Sequence, residues 1–244
     1  MILRVFSLIS FITFELCVTQ EHTIPVIICH RNSTDFFACA KREVQEAWPR
    51  IIQGFPEIDF PCLEPLKKEY FEVSYNSDTI KVDFTLINIT LMGLAKIRIL
   101  DARPYFLDDG FQIEIDVHIP QLYAEGSMEG TGNLGPFRVT TNQGPFKLTI
   151  TNIRVTCNII GPVINDRWVV EHFYVIPQIG TMKVYFELLD SKEINDLAVQ
   201  FMNEYWPTYY RAVSPTLFDQ IDIWASDLAN RLISQYSFSQ TIPT

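Results

Sequence analysis

The sequence lacks the motifs that mark the common catalytic sites. It has no G-x-S-x-G turn, no H-E-x-x-H pair and no Walker loop. Gly130-Thr131-Gly132 falls in a turn-rich hairpin region, not between a parallel strand and a helix, so no phosphate site is expected there. Asp108, Asp109, Glu125 and Glu129 read as exposed turn acids rather than as a catalytic carboxylate pair. Metal-binding spacing is absent too: there is no C-x-x-C, and His22, His30, His118 and His172 are scattered, so no metal and no cofactor are expected. Positive charge is scarce. Nineteen Lys and Arg against 29 Asp and Glu give a net charge of −10, which excludes nucleic acid and makes anionic membranes poor partners.

Long apolar runs are missing as well, apart from the N-terminus. Met1 to Arg4 is a short basic start, and Val5 to Val18 is an apolar run too short to span a bilayer, so residues 1–20 read as a secretory signal peptide. Cleavage is expected near Thr19 or Gln20. No other stretch reaches the roughly 18 apolar residues of a membrane span, so no integral membrane protein is expected. Residues 21–244 then form a single domain, large enough to bury about 70% of its unfolded surface.

Cys17 belongs to the leader, and four cysteines remain, an even number that suits an oxidising compartment. Cys29 and Cys39 lie close together at the entry to the first helix, where a bridge would tie the incoming arm to it. Cys62 and Cys157 either pair with each other or stay as buried thiols. Two sequons, at Asn32 and Asn88, agree with export.

The periodicity of the chain changes twice. From Asp35 to Gln53, Phe36, Cys39, Ala40, Val44, Ala47, Trp48 and Ile51 recur at helical steps, with Ser33, Thr34 or Asp35 available as a cap. Three prolines between Gly54 and Pro65 predict an extended connector. Period two follows. Ile80, Val82, Phe84 and Leu86 share one parity and Ile87, Ile89 and Leu91 the other, which predicts a bulge or sharp bend between them. Phe111 to Ile119 alternates cleanly. Leu148 and Ile150 pass to Ile153 and Val155 through a second flip, and Met182 to Leu188 alternates again. Turn signals at Asp108-Asp109-Gly110, Asn142-Gln143-Gly144 and Asn165-Asp166 make the middle a bent antiparallel meander.

Helical steps return at Ser191. Ile194, Leu197, Ala198, Phe201 and Tyr205 form one stripe. A second, after Pro207 and Pro215, runs through Leu217, Ile221, Trp224, Ala225, Leu228, Leu232 and Tyr236. That second helix covers roughly 30 Å and needs an apolar trough, which only the bent sheet can supply. The fold class is therefore α+β, a curved antiparallel sheet around a long C-terminal helix. Its interior is either filled by the 18 Phe, 10 Tyr and 4 Trp or left open for an apolar ligand.

Several short elements resemble the insect takeout and juvenile-hormone-binding protein family. They are Asn88-Ile89-Thr90-Leu91-Met92-Gly93-Leu94, the arm carrying Cys29 and Cys39, and Gly54-Phe55-Pro56 leading to Leu63-Glu64-Pro65-Leu66. The Tyr123, Gly126, Gly132, Gly135, Pro136 and Gly144 series and Phe201-Met202-Asn203-Glu204-Tyr205-Trp206 complete the set. The resemblance covers essentially the mature chain. It implies an elongated fold with an internal hydrophobic tunnel and carriage of a small lipophilic molecule, a terpenoid, fatty acid or similar, in extracellular fluid, with a receptor or delivery protein as a further partner. The chain departs from that pattern at Glu64, where Asp is usual, at the additional Cys62, and at Cys157, which stands alone where hormone carriers hold a second bridge. The residues expected around the ligand are Val44, Trp48, Ile51, Phe84, Leu86, Tyr123, Phe201, Tyr205, Leu217, Ile221, Trp224 and Leu228. Tyr123, Tyr205, Tyr209 and Asn203 are the candidate polar anchors. The alternative is an extracellular interaction module with a filled interior and a protein partner.

Overall fold

The computed structural model describes residues 27–76, 80–134 and 137–244. The leader assigned to residues 1–20 lies outside them. Helix α1, Phe36–Ile51, buries Phe36, Ala40 and Ala47. Its N-terminus differs from the expectation: no side chain caps it, and the Asp35 amide instead donates to Ser33 Oγ at 3.2 Å.

The sheet is antiparallel and strongly curled. Strands β1, Leu66–Asn76, and β2, Ile80–Met92, lead to β4, Gly110–Leu134, with β3, Arg98–Phe106, pairing the first half of β4. Strand β4 then pairs β5, Phe137–Thr140, and β6, Gly144–Ile164. Beyond β6 come the short β7, Arg167–Trp168, then β8, His172–Gln178, and β9, Thr181–Phe186. Two strands of 25 and 21 residues thus form the spine, far longer than the usual strand of about 5–6.

Both parity flips are bends. The β2–β4 register shifts between Ile87 and Thr90, and Asn88 between them is left-handed at φ 52°. Asn152, at φ 51°, marks the point where β6 changes partner from β9 to β8. Asparagine tolerates this region better than the β-branched residues around it. Asn165 and Asp166 are both left-handed, as the two-residue hairpin between β6 and β7 requires.

The C-terminal helices differ from the sequence expectation in two ways. Helix α2 is Lys192–Glu204, and α3 runs unbroken from Trp206 to Ile233 through Pro215. Its 28 residues span about 42 Å, about two-fifths longer than expected. Pro207 stands in the first turn, where no amide is needed, but Pro215 is inside the helix and does not end it. A short helix α4, Phe238–Thr241, closes the chain.

Helix α3 bridges the two free edges of the sheet. At one edge Gln220 Nε2 donates to Glu72 O of β1 at 2.9 Å. At the other, Asp222 accepts from the Phe173 amide of β8, and Asn230 exchanges two 2.8 Å bonds with the Val170 backbone. Two side-chain amides and a carboxylate therefore complete the ladder where no strand is present.

The segment Gly54–Pro65 is not an extended connector. Phe55 and Phe60 exchange both backbone hydrogen bonds, and Phe55, Phe60 and Leu63 are buried against Leu228 of α3. The prolines shape a tight plug, with a 3-10 turn at Pro56–Ile58. Glu64 then accepts from the Gly93 and Ala95 amides at 2.9 Å, and Leu94 O accepts from Trp48 Nε1 at 2.8 Å. Gly93 is obligatory here, since its φ is 113° and a Cβ would meet Gln121 O at 2.2 Å.

Candidate functional site

The concave side of the sheet carries the dry parity. Phe111, Ile113, Ile115, Val117 and Ile119 of β4 and Ile153, Val155, Cys157 and Ile159 of β6 all face inward toward α3. Their bulk does not fill the space. A cavity of about 1560 Å³ remains between sheet and helix, larger than the roughly 300–1,000 Å³ of ordinary small-molecule pockets. Its wall contains no Asp, Glu, Lys or His among the described residues, and its one charged residue is Arg211, which is exposed.

Ten of the twelve expected residues lie in this wall: Val44, Trp48, Ile51, Phe84, Leu86, Phe201, Leu217, Ile221, Trp224 and Leu228. Two do not. The bend beyond Ile119 passes the inward parity from odd to even positions, Leu122, Met128 and Gly132, so Tyr123 faces away. Its hydroxyl donates to Glu125 at 2.7 Å, and this bond holds its pKa above the usual phenol value. Tyr205 caps the joint between α2 and α3 and is 46% exposed, its ring tilted against Phe201 with centroids 4.8 Å apart.

The anchor candidates divide similarly. Asn203 is absent from the wall because both ends of its amide are engaged with the Val184 backbone of β9 at 2.8 Å. Tyr209 lines the cavity, and burial raises its pKa. Two polar groups escaped the sequence reading. Tyr210 Oη and Trp168 Nε1 are buried in the wall with no partner among the described residues. Burial alone raises the Tyr210 pKa. Its signal was present in the spacing Trp206, Tyr210, Val213, Leu217, Ile221, hidden by reading Pro215 as a break. Trp168 stands two residues from Val170, which is joined to Asn230, so the two donors are separated by about 30 Å along α3.

The far end of the cavity is closed by covalent and aromatic contacts. Cys29 and Cys39 form the expected disulfide. The Cys29 amide donates to Thr241 O at 3.0 Å and the Arg31 amide to Pro243 O at 2.8 Å. Phe111 packs against Phe106, Trp168 and Phe238, and Phe106 stacks on Phe36. Cys157 is a free thiol in the wall, so it does not pair with Cys62; burial pushes its pKa up to about 12.

The near end is different. Among the wall residues only Phe201, Thr208 and Arg211 are exposed, and all three sit at the α2–α3 joint. A residue that faces both cavity and solvent marks a mouth.

A curled antiparallel sheet is floored by one long helix, with an apolar cavity between them. The chain belongs to the haemolymph juvenile hormone binding protein family, whose profile matches residues 8–243. Its fold is that of the crystal structure of Takeout 1 from Epiphyas postvittana, with a TM-score of 0.70 and 18% identity over 90% of this chain and 100% of that one. A crystal structure of lipopolysaccharide binding protein aligns with a TM-score of 0.33 and 11% identity, over 84% of this chain and 38% of that one. No curated protein matches the chain. The family is one of binding proteins, and no helix among the described residues is long and apolar enough to cross a membrane.

Proposed function

We propose that the chain is a secreted, non-enzymatic carrier of a small uncharged lipophile, with residues 1–20 removed as a leader and residues 21–244 acting as one carrier domain. The observation that carries this reading is the unfilled apolar cavity, which a protein-interaction module with a packed interior has no use for. Exchange of water for wall contacts contributes about 25 cal/mol per Å² of apolar ligand surface, so about 400 Å² offers ~10 kcal/mol before association costs. With no cation deep in the wall, an ionised carboxylate would lose its hydration without compensation. A carbonyl, ester or hydroxyl oxygen instead satisfies Tyr210 Oη or Trp168 Nε1, each of which costs about 1–3 kcal/mol when left unpaired.

Native mass spectrometry of the secreted protein, before and after denaturing extraction, tests the proposal. A co-purifying lipophile, or one-to-one uptake of an added terpenoid alcohol, is the expected result. Tyr210→Phe should weaken a ligand bearing an oxygen function more than its parent hydrocarbon, by about 5- to 30-fold. A chain that refuses every lipophile overturns the carrier reading.

A further inference from the structure

Helix α2 turns its apolar stripe the wrong way for a core helix. Ile194, Leu197, Phe201 and Tyr205 follow one another at steps of three and four, and they are 59%, 66%, 52% and 46% exposed. The opposite face packs on the sheet: Ala198, Val199 and Met202 join the cluster around Phe146 and Phe186, and Asn195 is buried against the Phe186 and Leu188 backbone. The helix cannot roll to bury the stripe without breaking these contacts. The stripe also leads somewhere. Phe201 is at once part of it and part of the cavity wall, and its ring contacts Tyr205 and Tyr209, so apolar surface runs unbroken from the outside of α2 into the mouth.

We infer that this face docks on a zwitterionic phospholipid surface and that the mouth loads its ligand directly from that surface; the inference rests on the carrier reading above. Three observations select the occupant. The stripe is about 20 Å long and about 10 Å wide, near a quarter of the roughly 800 Å² per partner that a stable dimer buries, and two copies each carrying −10 repel. Glu193 and Glu204 border the stripe and Arg211 stands at the mouth. That order, carboxylates outside and a guanidinium beside the opening, complements a choline headgroup, whose cation lies outermost and whose phosphate lies beneath; an anionic leaflet would be repelled. Tyr205 and Tyr209 supply the apolar ring with a polar tip that favours the headgroup level.

Transfer of pyrene-dodecanol from phosphatidylcholine vesicles to the secreted protein, followed by stopped flow, tests this with the variant Ile194→Ser/Leu197→Ser, neither of which lines the cavity. The expected result is a transfer rate proportional to vesicle concentration, reduced by about tenfold in the variant and reduced again when phosphatidylserine is added. Equilibrium uptake of the same probe from dilute solution should stay within about twofold of wild type, since the wall is untouched. A rate that levels off at the probe's own desorption rate and is equal in both proteins overturns the inference while leaving the carrier reading intact. Failure of both proteins to take up the probe at all defeats the carrier reading instead. Docking is then read by flotation with phosphatidylcholine vesicles: wild-type flotation lost in the variant supports it, and absence of wild-type flotation overturns it. A concentration-dependent dimer in sedimentation that the variant abolishes also overturns it.

Discussion

The two ends of the cavity are built on opposite principles. At the far end a disulfide, a backbone clasp to the C-terminal segment and a cluster of Phe36, Phe106, Phe111, Trp168 and Phe238 hold several elements together. At the near end one short helix is pinned by two asparagines and shows its greasiest face to solvent. Both ends are rich in aromatics, so composition does not separate them. What does is how many elements the rings join: the far-end rings come from α1, β3, β4, β7 and α4, the near-end rings from α2, α3 and the joint between them. One end is tied across many elements, and the other meets solvent at Phe201, Thr208 and Arg211.

Substitutions should expose that division, beginning with the rings. Phe111→Ala removes a side chain that is 2% exposed and touches three other aromatics, and it should cost about 3–5 kcal/mol in denaturant unfolding. Phe201→Ala, at the mouth, should cost less than about 1 kcal/mol, and equal costs would erase the distinction between the ends. Next comes the staple. Cys29→Ser with Cys39→Ser opens a short loop and should lower stability by about 3 kcal/mol, read from the same unfolding curves under oxidising conditions.

The asparagine pins come third. Asn195→Ala leaves the Leu188 amide and the Phe186 carbonyl without their partner, for a loss of about 1–3 kcal/mol. Because the loss falls on α2, hydrogen exchange should rise in α2 and β9 and stay unchanged in α1; a uniform rise would refute the independence of the two ends. Smallest is a pH effect midway between them. The Arg103 guanidinium, then the Thr156 hydroxyl, hold the Asp116 carboxyl below its usual value. A depressed folded pKa means stabilisation that is present above the unfolded carboxylate value of about 3.9 and is lost as pH falls through the folded one. Melting temperatures of wild type and Arg103→Met should therefore converge in acid; a gap that persists below about pH 2 would show that Arg103 acts through packing instead.

The fold was legible where a local pattern had one physical meaning. Both parity flips are bends: at Asn88 the β2–β4 register shifts, and at Asn152 β4 and β6 change inward parity together with their register kept. The short elements that resembled a known family also touch: Glu64, from one, holds the backbone of Gly93, from another. Patterns with two meanings misled. The stripe on α2 has core-helix spacing, yet periodicity reports that a face is apolar and not that anything covers it. Proline was overread twice, as a break at Pro215 and as extension between Gly54 and Pro65, where it shapes a buried plug. Tyr123 was lost because the bend at Asn152 is shared by β4, where Pro120 lies opposite it and the inward parity passes from Ile119 to Leu122.

Among the described residues the sheet does not close on itself, and this has a mechanical consequence. A barrel has a fixed girth, since widening it means breaking a column of backbone hydrogen bonds. Here the rim strands β1 and β8 face each other across α3, and among the described residues Gln220 and Asp222, with Asn230 just ahead of β8, latch the rims to it. The structure is a gutter with a keel, and its width is set by how far the two rims spring apart. The rims can spread with every rung of the ladder kept, so the girth of the cavity is less constrained than its length, which the 28-residue keel sets.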